Sequence, residues 1–121
     1  MITFVHQHFF KQVDILAQLL RGTNPDLDGA SFKQKFMENP SAILLDVRTP
    51  SGHHSEAIPG SINIDFMSAN FETELANLDK SKTYFVYCRS GNRSSRACKT
   101  MKGLGLTCYN LEYGIDSWPL D

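Results

Sequence analysis

The chain has 121 residues, a formal net charge of -1, 41% hydrophobic residues and 21% charged residues. That length suits one domain with its own hydrophobic core, and the composition excludes an intrinsically disordered chain. A charge this close to zero excludes a global field that gathers nucleic acid or an anionic membrane, so any attraction for anions must be local.

Near the amino terminus, Phe9, Val13, Leu16 and Leu20 recur at helical spacing, predicting an amphipathic helix over 9–21 that stops at Gly22 and Pro25. We take 1–25 as a helical extension that packs on the domain or forms a homodimer, and 26–121 as the main domain. Asp28-Gly29 reads as a turn, and 31–38 as a short helix with Phe32 and Phe36 inward, ended by Asn39-Pro40. Ala42-Ile43-Leu44-Leu45 is an unbroken apolar run, the pattern of a parallel strand buried on both faces. Thr49 to Gly52 reads as a loop, 53–57 as one or two helical turns, 61–64 as a short strand and 66–79 as a weak helix. Tyr84 to Tyr87 is the next buried strand. A helix follows with Ala97, Cys98, Met101 and Leu104 on one face, then a strand over 107–111 and a terminal turn or short helix over 114–118. Strands alternating with helices imply an α/β sheet covered on both faces.

Three cysteines, an odd count, argue against a disulfide framework and for a reducing compartment. No apolar run approaches the roughly 18–20 residues of a membrane span. Met1 to His6 lack the basic region and cleavage site of a secretory leader. The expected location is cytoplasmic, with no nucleic-acid or membrane partner. Cys98 and Cys108 fall on core-facing positions and read as packing.

Cys88 is different. It ends a buried strand and is followed by Arg89-Ser90-Gly91-Asn92-Arg93-Ser94 at the start of a helix. Backbone N–H groups, a helix N-terminus and two arginines all favour a thiolate. Gly91 allows the backbone angles of an N–H cradle, and Ser94 or Ser95 is placed to cap the helix. His6, His8, His53 and His54 lie in other segments, so a Cys–His pair has no support in the sequence. The four residues between Cys88 and Arg93 make a tighter loop than the C-x5-R cradle of cysteine phosphatases, favouring a smaller or differently shaped anion.

Four segments together resemble the single-domain rhodanese (thiosulfate sulfurtransferase-like) family. They are the loop from Cys88 to Ser94, Leu44-Leu45-Asp46-Val47-Arg48, Ile58-Pro59-Gly60-Ser61-Ile62-Asn63-Ile64, and Asn110-Leu111-Glu112-Tyr113-Gly114 continuing to Trp118. The resemblance implies a rhodanese-like five-stranded parallel sheet flanked by helices, joined here by the extra N-terminal helix. It also implies a sulfurtransferase that needs no metal or cofactor. In it Cys88 takes sulfur from a small anionic donor, thiosulfate or a persulfide, and passes it to cyanide, a thiol or a protein acceptor. Arg89, Ser90, Gly91, Asn92, Arg93 and Ser94 would bind substrate. Asp46 and Arg48, at the carboxyl end of a buried strand, are expected to support the site from behind. A cysteine phosphatase or arsenate reductase is the alternative enzyme. A sulfur-delivery module acting on a protein partner is the other alternative. The chain departs from the family pattern at Glu56-Ala57, where Gly-His is usual, and at Tyr113, where a glycine is usual. Exposed loop positions are expected for His53 and His54. Glu56 places a negative charge near a site of anion entry.

Overall fold

The computed structural model describes residues 25–120. The helix expected over 9–21, and any dimer formed through it, lie outside the described residues.

Ten short elements follow one another: β1 (Asp26–Leu27), α1 (Gly29–Glu38), β2 (Ala42–Asp46), α2 (Pro50–Ser55), β3 (Ile62–Asn63), α3 (Phe71–Ala76), β4 (Thr83–Tyr87), α4 (Asn92–Gly103), β5 (Thr107–Leu111) and a 3-10 turn (Ile115–Ser117). The strands form one sheet in the order β1-β5-β4-β2-β3, and every pair is parallel. β4 lies at the centre. Its side chains alternate across the sheet, as the two-residue period of a strand requires. Tyr84 and Val86 join one core with Leu45, Ala97 and Met101, under α3 and α4. Phe85 and Tyr87 join the other with Phe32, Leu44 and Leu111, under α1. There Phe32 and Phe36 meet Phe85 edge-on at 5.4 and 5.5 Å.

The two-residue strand β1 was not read from the sequence, and the helices differ from expectation where side chains cap or interrupt them. Asp28 accepts from the backbone N–H of Ser31 at 2.8 Å, so α1 starts at Gly29. Thr49 accepts from Gly52 N–H at 3.2 Å, and Pro50 opens the helix. The segment expected as a loop therefore becomes the first turn of α2. The weak helix expected over 66–79 shrinks to Phe71–Ala76. Asp65 and Ser68 turn back to the N–H groups of Met67 and Asn70, at 2.8 and 3.1 Å, in local turns that compete with a helix.

This order places the site. After β2 the chain runs to β3 on one side of it, then crosses to β4 on the other. The crevice beyond the carboxyl ends of β2 and β4 is where open α/β sheets receive ligands. Asp46 and Tyr87 are register partners there, so Arg48 and Cys88 leave the sheet side by side.

Candidate active site

Cys88 follows β4 directly, and its carbonyl is held by the N–H of Ile115 at 3.0 Å. The next residues curl over the sulfur. Gly91 N–H lies 3.1 Å from Sγ, Ser94 N–H 3.4 Å and Ser94 Oγ 3.2 Å. Cys88 is 2% exposed. Burial raises a thiol's pKa, yet the hydroxyl and N–H of Ser94, with the N–H groups of Ser90 and Gly91, outweigh it and hold Cys88 below its ordinary value. The donors around the sulfur thus favour its thiolate form over the thiol.

The loop keeps this shape through two glycines. Gly91 has φ 95°, and a Cβ on it would sit 1.9 Å from the carbonyl oxygen of Glu112. Gly114 has φ 82°, and its Cβ would sit 1.9 Å from the carbonyl oxygen of Arg89. The Cys88 loop and the turn after β5 thus touch backbone to backbone, where only glycine fits. Tyr113, standing at the departure from the family pattern, is exposed, and the positive φ falls on Gly114 instead.

Beside the sulfur opens a cavity of about 300 Å³, lined by Arg48, Cys88, Arg89, Ser90, Asn92 and Arg93. Arg89 and Arg93 are exposed. Arg89 lies 3.9 Å from Asp116, both side chains being about two-thirds exposed at 68% and 70%, and solvent screens such a pair. Arg48 is the opposite case. The residue is 8% exposed, and its guanidinium is locked to the fully buried Asp46: Nε donates to both carboxylate oxygens at 3.0 and 3.1 Å, and Nη2 to Oδ2 at 2.7 Å. Nη2 also donates to the carbonyl of Glu56. Burial alone would raise the Asp46 pKa, but the hydrogen bonds from Arg48 and His53 bring it below the usual carboxylate range. The bond to Asp46, partly opposed by burial, in turn raises that of Arg48.

The structure thus gathers Cys88, Arg89, Ser90, Asn92 and Arg93 around one cavity. Gly91 and Ser94 sit behind the sulfur as its donors. Four expectations are altered or refined. Ser94 and Ser95 do not cap α4: Gly91 occupies the cap position, and the Ser94 hydroxyl turns to Cys88 because the sulfur lies one turn back. His53 is not a free loop side chain; it is 27% exposed, with Nδ1 3.0 Å from Asp46 Oδ2. Glu56 meets the site through its backbone carbonyl, with its side chain exposed. Arg48 is more than a support, since it lines the cavity itself.

Asn110 is a site residue that the sequence reading does not single out. It is buried at 1% exposure in β5, and its Nδ2 donates to Asp26 Oδ1 at 2.8 Å and to the carbonyl of Gly91 at 3.3 Å. An amide in a buried strand was the available signal, because such a group seeks partners; here Nδ2 finds two acceptors, while the buried Oδ1 has no partner among the described residues. Among the described residues, no group of three or more His, Cys, Asp or Glu stands together as metal ligands. No described helix is long and apolar enough to cross a membrane.

A family model described as a rhodanese-like domain matches residues 29–120. The thiosulfate sulfurtransferase GlpE of Pseudomonas syringae pv. syringae (strain B728a) is 36% identical over 84 residues, covering 68% of this chain and 76% of that protein. A sulfurtransferase of Allochromatium vinosum is 28% identical over 94 residues, covering 77% and 86%. Among solved structures, a rhodanese-related protein of Thermoplasma volcanium superposes with a TM-score of 0.67 at 31% identity, over 77% of this chain and 88% of that one.

Proposed function

The chain belongs to the rhodanese-like domain family, with relatives named as sulfurtransferases, and from that premise we propose that it transfers sulfane sulfur through a persulfide on Cys88. The observation that carries this reading is the buried thiol with three hydrogen-bond donors on its sulfur, opening into a small cavity rimmed by arginines. The donors stabilise negative charge on sulfur, both on the resting thiolate and on the persulfide that replaces it.

With thiosulfate as donor, the Cys88 thiolate attacks the outer sulfur. The sulfur–sulfur bond of the donor breaks, and sulfite leaves with the electron pair. Cys88 then carries a persulfide anion, whose terminal sulfur enters the reach of the loop N–H groups. An acceptor such as cyanide or a thiolate attacks that terminal sulfur and returns Cys88 as thiolate. Charge is conserved at each step, and no proton need move. This agrees with a site in which the described hydrogen-bond partners of Sγ are Gly91 and Ser94, with no histidine among them. The donor's anionic end is drawn by Arg89 and Arg93 at the rim.

Steady-state assays of thiocyanate formation from thiosulfate and cyanide test the reading. Parallel double-reciprocal lines and loss of activity in Cys88→Ser are expected. Hydrolysis of an aryl phosphate without sulfur transfer would instead assign the site to a phosphatase. Transfer from a persulfide donor but not from thiosulfate would keep the sulfur-transfer reading and make a persulfide the donor.

A further inference from the structure

The cavity beside Cys88 has a cationic wall that the loop does not supply. Arg48 reaches it from the carboxyl end of β2, and it is buried where Arg89 and Arg93 are exposed. Nε and Nη2 are engaged by Asp46 and the Glu56 carbonyl. These hydrogen bonds leave out Nη1, while the guanidinium carbon stands 5.6 Å from the centre of the Tyr87 ring, which it also meets electrostatically. One edge of the guanidinium is clamped while the other keeps its donors. The clamp is itself braced, since the carboxylate also meets His53 Nδ1 at 3.0 Å and the carbonyls of Asp46 and Arg48 both accept from Asn63 Nδ2 at 2.9 Å.

An arginine fixed in this way loses little side-chain freedom on binding a ligand, whereas an exposed one must be immobilised. Its planar fork also matches an oxyanion better than a point charge does. We propose that Arg48 is the specificity-determining residue of the cavity: its Nη1 edge holds the anionic group of the incoming sulfur donor, a sulfonate or carboxylate, while Asp46 and His53 position the guanidinium. The identity of the ligand as a sulfur donor rests on the sulfur-transfer reading; the anion subsite does not.

Alkylation of Cys88 by iodoacetate and by iodoacetamide, an anion and its neutral counterpart, tests this without sulfur transfer. Peptide mapping isolates Cys88 from the buried Cys98 and Cys108. The iodoacetate-to-iodoacetamide rate ratio, normalised to that of glutathione, is expected to be about tenfold above one in the wild type, the scale of one charge-assisted hydrogen bond. Arg48→Lys keeps the charge but cannot both hold Asp46 and reach the ligand, so the ratio falls toward one with the iodoacetamide rate changed less than about twofold. Should that variant fail to fold, Asp46→Asn/Arg48→Met removes both charges together, strands no buried ion, and is expected to give the same fall.

A wild-type ratio equal to that of glutathione overturns the assignment and needs no variant. So does a ratio that survives substitution, or an equal loss of both rates, which is what a merely structural Arg48 gives. Loading from thiosulfate and from a persulfide donor, measured alongside, separates the two proposals. Anion preference that depends on Arg48, without any gain of sulfur from either donor, supports the subsite and removes the sulfur-transfer reading.

Discussion

Ser94 holds the Cys88 sulfur twice, through its hydroxyl at 3.2 Å and its N–H at 3.4 Å. Replacing it with alanine removes one donor to the thiolate and leaves the protonated thiol nearly unaffected. The Cys88 pKa must therefore rise. In Ser94→Ala, the pH midpoint for iodoacetamide alkylation should move up toward that of an ordinary cysteine by about one unit, the worth of one hydrogen bond to a charged group. Gly91→Ala forces a Cβ into the Glu112 carbonyl and displaces the shortest donor to the sulfur. Persulfide formation should fall about 100-fold or more, as for the loss of an oxyanion donor, in a protein whose far-ultraviolet circular dichroism is retained.

Asp46 links the site to stability. Its pKa is depressed in the folded state, so the folded chain binds fewer protons than the unfolded one as acid is added. The stability it contributes is complete above the unfolded pKa and is lost as pH falls through the folded value, a window below about pH 4. Asp46→Asn should therefore be less stable at neutral pH and lose less on acidification, read as a flatter dependence of Tm on pH below about pH 4. At this scale Cys88 was legible because a thiol, a glycine and a helix start stand together in the sequence. The His53–Asp46 contact was not, because seven residues separate them and only the turn of α2 brings the ring back. Ser94 was misread for a local reason. A serine at a helix start usually caps it, and only the tertiary position of the sulfur shows that this one does not.

The elements that carry the site are β4 and the two segments joined to its end. β4 pairs with β2 along its whole length and with β5 along most of it, so Cys88 projects from the most heavily braced strand of the sheet. Phe85, fully buried between Phe32, Phe36 and Tyr109, anchors that strand to α1 and β5. Phe85→Ala should cost roughly 3–5 kcal/mol in denaturant unfolding, the range for emptying a large aromatic site. The apolar runs of β2 and β4 made these strands readable, since a parallel strand buried on both faces leaves no polar position to obscure it. β1 was not readable: two residues carry no period, and Asp26–Leu27 becomes a strand only by pairing with Asn110 and Leu111. The short helix α3 shows the converse. Its surrounding residues favour helix in composition, but Asp65 and Ser68 bind nearby N–H groups and confine it.

Across the whole molecule, the parallel sheet brings motifs far apart in the sequence to one edge. Asp46 ends β2 and Arg48 follows it, Cys88 follows β4, and the turn holding Gly114 follows β5. That is why four separate segments together identified the fold while each alone described only a local pattern. The same convergence makes the central claim a single chemical statement, that Cys88 carries a transferable sulfur atom. Intact mass spectrometry tests it most directly. After incubation with thiosulfate and removal of small molecules, the wild type should gain the mass of one sulfur atom and lose it again on adding cyanide, with thiocyanate released, while Cys88→Ser gains nothing. A wild type left unmodified by both thiosulfate and a persulfide donor, or a Cys88→Ser protein that still takes up sulfur, would contradict the account.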